Sequence, residues 1–119
     1  MNIEELREFC LGFKGITEET PFGPEHLVYK VMGKMYALVP LDNEFPQVVL
    51  KNTPAKNEFL RNEYSYINQA YHFNKVHWIS VDNTLKNPAL VRELISESYG
   101  LVKKGLPRKL QAELDELAP

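Results

Sequence analysis

The chain of 119 residues contains one cysteine, Cys10, so no disulfide can close within it and no cysteine-rich zinc site can form. It has no apolar run near the ~18–20 residues that a bilayer-spanning helix needs. The segment Met1-Asn2-Ile3-Glu4-Glu5 has no basic stretch leading into an apolar one, so no secretory signal is visible and the cytoplasm is the expected location. Glycine-rich phosphate cradles are missing: neither Gly-x-Gly-x-x-Gly nor a Walker-type loop occurs, which leaves nucleotide binding without support. There is no Gly-x-Ser-x-Gly elbow and no His-Glu-x-x-His, so no serine triad of that pattern and no zincin site can be read. An excess of positive charge is also absent. The formal net charge is −2, which excludes a strong, indiscriminate polyanion binder.

What is present is an ordinary globular mixture, 44% hydrophobic and 25% charged. The length suits one domain over residues 1–119, and such a chain buries about two-thirds of its unfolded surface. Charge is unevenly spread. Residues 1–25 carry a net −4, residues 26–81 a net +2 together with all three histidines, and residues 82–119 balance. A mildly basic middle segment is therefore available to face an anion.

Local signals divide the chain into ten elements. Asn2 with Glu5 three residues on makes a capping box, and Ile3, Leu6, Cys10 and Phe13 fall near helical spacing, predicting a helix over 3–13 that Gly15 ends. A strand at 16–20 runs into the Pro21-Phe22-Gly23-Pro24 turn. Strands at 27–32 and 35–39 are joined through Gly33-Lys34, a pair suited to a two-residue hairpin turn. Another strand covers 47–51. Thr53-Pro54 reads as a helix cap and first residue, predicting a helix to about Glu63 with Phe59 and Leu60 inward. A second hairpin is predicted from 67–73 and 76–81 about Asn74-Lys75. Asn87-Pro88 opens a long helix whose buried face is Val91, Leu94, Ile95, Ser98 and Val102, closed by Lys103, Lys104 and Gly105. Leu110, Leu114 and Leu117 mark a last short helix. The order predicts an α+β fold: a central antiparallel sheet covered by helices in two layers.

Few residues carry chemistry. Cys10 lies on the apolar stripe of the first helix, the setting of an inert core thiol rather than a nucleophile. His72 and His77 would face each other across a simple hairpin, where paired imidazoles bind a metal or a phosphate; the plainer reading stacks one on Trp78 or Tyr71 and leaves the other solvated. Glu4, Glu5, Glu8, Glu18 and Glu19 form either an acidic ridge for hard cations or a solvated helix face. The stretch Tyr71-His72-Phe73-Asn74-Lys75-Val76-His77-Trp78 combines donors, a cation and stacking surfaces, a mixture that grips phosphate and base together. Lys30, Lys34 and Lys51 lie on or beside the earlier strands. Equally, these aromatics are core and the lysines guard strand edges.

At these residues the chain resembles the YjbR/MmcQ family over nearly its whole length. The matching pieces are Glu4 to Cys10, Thr20-Pro21-Phe22-Gly23-Pro24, Tyr29-Lys30-Val31, Gly33 to Leu38, Tyr71 to Lys75, His77-Trp78, Ser98-Tyr99 and Gly105-Leu106-Pro107. The resemblance implies a frataxin-like (CyaY-like) fold, a double-wing arrangement in which hairpins approach DNA, an association with mitomycin resistance, and no enzymatic activity. Under it, Gly33-Lys34 tips one wing and Asn74-Lys75 the other, with His72, His77 and Trp78 supporting the second.

Three readings follow. In the first, a non-catalytic module binds DNA weakly and with steep salt dependence: Lys34 and Lys75 touch phosphates, and Lys30, Lys51, His72, Asn74, His77 and Trp78 assist. In the second, a monomer sequesters a planar, drug-like ligand against Trp78, Tyr71, Tyr29 and Tyr36. In the third, the acidic ridge handles metal or a protein partner. No catalytic residue, cofactor or membrane is expected in any of them, and no metal-ligand set is assigned.

Overall fold

The structure is a computed structural model, and it describes residues 1–118. The elements follow the expected order: α1 (Ile3–Leu11), β1 (Ile16–Glu19), β2 (His26–Val31), β3 (Lys34–Pro40), β4 (Val48–Lys51), α2 (Pro54–Glu63), β5 (Ile67–Gln69), β6 (Trp78–Val81), α3 (Pro88–Lys104) and α4 (Arg108–Glu116). The caps are those the sequence announces. Asn2 and Glu5 close a reciprocal capping box on α1, while Thr53 and Asn87 accept from the third residues of α2 and α3, each of which starts on a proline. A cap of this kind is worth about 1 kcal/mol.

The six strands form one antiparallel sheet in the order β1-β2-β3-β4-β6-β5. Alternation along each strand separates two faces. Leu27, Tyr29, Val31, Ala37, Val39, Val48, Leu50, Ile79 and Val81 point to one side and meet Leu6, Cys10, Val91, Leu94 and Ile95 from α1 and α3, making the main core. Val28, Leu38 and Val49 point the other way, where no helix lies over them.

The core is tied by polar contacts as well. Tyr36 is an extra residue on β3, because Tyr29 pairs with Ala37 whereas Lys30 pairs with Met35. The β3–β4 ladder ends at Ala37–Leu50, which leaves the Tyr36 carbonyl without a partner on β4. The buried Ser98 hydroxyl of α3 donates to that carbonyl at 2.6 Å and accepts the Lys51 amide at 2.9 Å. Phe13 stacks on Tyr99 at 4.6 Å between ring centres, and the Tyr99 hydroxyl donates to the Lys14 carbonyl. Gly15 adopts φ +77° under α4, where a Cβ would come within 2.4 Å of Leu114.

Four expectations need correction. First, α1 stops at Leu11 with Gly12 as its cap, and Phe13 packs from beyond the helix. Second, the first hairpin turns on Met32-Gly33 (φ +48° and +86°), not Gly33-Lys34. A two-residue turn with both central φ positive matches the strand twist, and it makes Lys34 the first residue of β3 rather than a tip. Third, Phe59 is 56% exposed, and Asn57 takes the inward place beside Leu60, its Nδ2 donating to the Asn52 and Val76 carbonyls. Fourth, β5 and β6 pair only from Ile67–Val81 to Gln69–Ile79, so residues 70–77 form a connection outside the ladder. His72, at φ +68°, and His77 therefore do not pair across strands.

Candidate binding groove on the open sheet face

The connection from Ala70 to His77 does not project as a wing; it folds back across the open face. Ala70 is buried there, and the half-buried rings of Phe73 and Trp78, 5.4 Å apart, pack on Val28, Leu38 and Val49. Burying these apolar groups is the driving force. Hydrogen bonds hold the arrangement. Asn74 Oδ1 accepts from the Val76 and His77 amides, the Trp78 amide donates to the Asn74 carbonyl at 3.0 Å, and the His77 carbonyl accepts from the Asn52 amide at 3.0 Å. The Asn57 side chain holds the Val76 carbonyl at 2.9 Å.

Beside this folded segment lies a wide groove of about 1220 Å³. Its floor is Leu38, Val49 and Ala70. Phe22 from the 20–25 turn and Tyr71 and Phe73 from the connection bring aromatic rings to it, and His72 and Lys75 line it too. Phe22 is 64% exposed and Tyr71 86% exposed. One wall is a fixed polar strip: Asp82 accepts from Gln47 Nε2 at 2.7 Å, from the Ser80 hydroxyl at 2.6 Å and from Asn68 Nδ2 at 2.6 Å. Asn43 donates in turn to the Gln47 side-chain oxygen. Both Asp82 oxygens are thus satisfied by neutral donors. His26 and Arg61 also line it, as does Asp42, and the first two each have one buried nitrogen, Nδ1 and Nη1 respectively, with no hydrogen-bond partner.

The remaining residues expected at the site fall elsewhere. Lys34, Lys51 and Trp78 line a separate, shallower cleft of about 380 Å³ beside the end of α3. Lys30 lies on the open face and bridges to Glu19 at 3.2 Å. Asn74 and His77 are exposed, with Asn74 occupied by its own backbone. The structure therefore brings together Lys34, Lys51 and Trp78 in one place and His72 and Lys75 in another. Strand polarity puts the 32–33 turn and the 70–77 connection at the same end of the sheet, since Val31–Lys34, Lys51 and Trp78 all lie there.

Other candidates are structural. The Cys10 thiol is pushed up to about 12 by burial, so it holds its proton at neutral pH. Tyr29 and Tyr36 are also pushed up by burial, and their hydroxyls donate to Glu18 and to the Cys10 carbonyl. Within the proposed acidic ridge, Glu5 caps α1, Glu18 pairs with Arg7 at 2.8 Å, and Glu19 takes Lys30 and Thr17. Among the described residues, no three His, Cys, Asp or Glu side chains converge as a metal site. No described helix is long and apolar enough to cross a membrane. Sequence reasoning missed Phe22, His26 and Arg61. Only Phe22 left a trace, as a large aromatic in a Pro-Gly turn with no periodic partner.

Comparison with known proteins matches this architecture to one family. A solved protein from Deinococcus radiodurans, DR2400, described by the domain DUF419, superposes with a TM-score of 0.85 at 35% identity, covering 96% of this chain and 88% of that one. A structure from Pseudomonas syringae gives a TM-score of 0.71 at 25% identity, over 85% and 98% of the two chains. The Escherichia coli O157:H7 protein YbdF is 40% identical over 92 residues, 76% of this chain and 75% of that protein. The Escherichia coli K12 protein YjbR is 30% identical over 119 residues, 96% of this chain and all of its own length. Both are described as uncharacterized. The YjbR family model matches residues 11–101, from the end of α1 through most of α3, and the chain belongs to the YjbR family.

Proposed function

We propose that this chain is a non-catalytic binding protein that holds a planar aromatic small molecule in the groove on the open sheet face. The observation that carries the reading is the exposure of Tyr71 and Phe22 around an apolar floor. Large aromatic side chains left in water stabilise no fold, whereas they offer stacking surface to a ligand. The polar strip ending in Asp82 supplies a few fixed groups to orient it, the usual make-up of a ligand site. Within that strip the Ser80 hydroxyl is committed to Asp82 at 2.6 Å. Trp78, the one tryptophan, touches Phe73 and so reports on the groove. Titration with a panel of planar aromatic compounds, mitomycin among them, should change Trp78 emission saturably for at least one. Amide resonances of Tyr71 and Phe73 should shift with the same compound. Unchanged emission and resonances for the whole panel would reject the reading.

A second reading, weak duplex binding, rests on a different observation. The 32–33 turn and the 70–77 connection share one end of the sheet, and Lys34 and Lys51 line one cleft with Trp78. A few phosphate contacts of this kind weaken steeply with salt, each contributing a slope of about −0.9 in log K against log salt. Mobility shifts of random duplex at two salt concentrations, with Lys34→Ala/Lys51→Ala alongside, decide it: no retardation at low salt removes this reading and leaves the first standing.

A further inference from the structure

The groove reading leaves open what the ligand must carry besides a ring. We propose that it is an aromatic carboxylate and that Arg61 is the residue that takes its carboxylate; the inference rests on the groove being the binding site.

Three buried side-chain atoms among the described residues have no hydrogen-bond partner: His26 Nδ1, Arg61 Nη1 and Asn57 Oδ1. Buried polar atoms are ordinarily paired, and each exception calls for an explanation. Two of these three belong to residues that line the same groove. Arg61 is the sharper case because its guanidinium is always charged. Arg61 forms no ion pair with a described Asp or Glu, and among the described Lys and Arg residues it alone has a buried nitrogen without a partner. The acids of the groove do not serve it. Asp82 is occupied by Gln47, Ser80 and Asn68, and Asp42 makes no ion pair with it.

The form of the site selects the anion. A single guanidinium presents two parallel N–H groups that match one carboxylate in a fork. Arg61 sits in the last turn of α2, the negative end of the helix dipole, and no glycine-rich loop stands beside it. That surrounding favours a singly charged group over a phosphate chain, whose several charges would meet the dipole with Lys75 as the only other Lys or Arg of the groove. The rings of Phe22, Tyr71 and Phe73 then accept the aromatic part across the groove.

The test compares 2-naphthoate with 2-naphthamide, which share a ring and differ in charge. Binding to the intact chain is followed by Trp78 emission and by the amide resonances of Tyr71 and Phe73. The expected result is naphthoate at least tenfold tighter than naphthamide. Arg61→Gln should remove that preference, with amide resonances away from the groove matching the parent's to show that the variant is folded. Arg61→Lys, keeping charge but losing the fork, should retain part of the preference; if Arg61→Gln does not fold, a preference in Arg61→Lys at least threefold below the parent supports the proposal. Equal affinity for acid and amide in the parent, with groove resonances shifting, overturns the carboxylate and leaves the groove. So does a preference that survives Arg61→Gln. No groove shift with either compound overturns both.

Discussion

The two faces of the sheet are built from the same strands and finished differently. On the covered face α1 and α3 close over the large side chains, Ser98 takes the Tyr36 carbonyl and the Lys51 amide beyond the end of the β3–β4 ladder, and Tyr29 and Tyr36 find acceptors for buried hydroxyls. On the open face, one short segment covers the apolar patch, aromatic rings stand in water, and two buried nitrogens lack partners. The contrast separates residues that hold the protein together from residues the fold does not need. Stability should be concentrated on the first face and ligand sensitivity on the second.

The strongest challenge to that division is a cavity on the covered face. Leu94 is buried between α3 and the sheet, and Leu94→Ala should cost about 3–4 kcal/mol in urea unfolding, the usual loss for a deleted core side chain plus its cavity. Ser98→Ala removes no bulk but strands the Tyr36 carbonyl and the Lys51 amide. Its expected cost is about 2–3 kcal/mol, since unpaired buried groups lose their full desolvation. Phe73→Ala is the open-face counterpart of Leu94→Ala. Because the ring is half-buried, about 1–2 kcal/mol is expected. If Phe73 costs as much as Leu94, the open face is a second core and the comparison fails.

The acid limb gives a smaller test at the rim of the covered face. Arg7 holds the Glu18 carboxyl below its ordinary value of 4.5, assisted by the Tyr29 hydroxyl. A carboxylate with a lowered folded pKa stabilises the fold above its unfolded pKa, and that contribution is lost as pH falls through the folded value. Stability should therefore drop from about pH 4.5 downward, and Glu18→Gln should flatten this part of the profile while lowering stability at pH 7. An ion pair this exposed is worth less than about 1 kcal/mol. An unchanged acid limb in Glu18→Gln would place the titration elsewhere.

The parts legible in the sequence are those decided by neighbours in the chain. Asn2 with Glu5, Thr53-Pro54 and Asn87-Pro88 cap where they stand, and the stripe from Val91 to Val102 is buried as spaced. The first hairpin turns one residue before the position that Gly33-Lys34 suggests, because glycine fits either central position of a tight turn. Moving a two-residue turn by one position shifts the pairing by two residues and keeps each side chain on its face, so hydrophobic alternation does not choose between them. The 70–77 connection read as strand because it is aromatic and β-branched. Tertiary contact overrides that propensity, since Phe73 gains more by covering Val28, Leu38 and Val49 beside Trp78 than by extending the ladder. The groove was not legible for a related reason. Phe22, His26, Arg61 and Tyr71 come from four separate segments, and only the folded sheet puts them around one floor.

The smallest effect on stability is expected where the effect on binding is largest. Tyr71 is 86% exposed, and its ring lies edge-on to that of His72 at 5.5 Å between centres. Removing a side chain so placed changes stability by no more than about 0.5 kcal/mol. The same ring stands at the groove beside Phe73, where stacking on an aromatic ligand contributes about 0.5–1.5 kcal/mol beyond buried area. Tyr71→Ala should thus unfold with the parent in urea yet bind 2-naphthoate several-fold more weakly, as read from Trp78 emission. Phe22→Ala should behave the same way from the opposite rim, which a purely local change around residue 71 would not explain. A variant that lost stability without losing ligand would move Tyr71 into the structural set. The division between the two faces would then have to be drawn along the 70–77 connection instead of through the plane of the sheet.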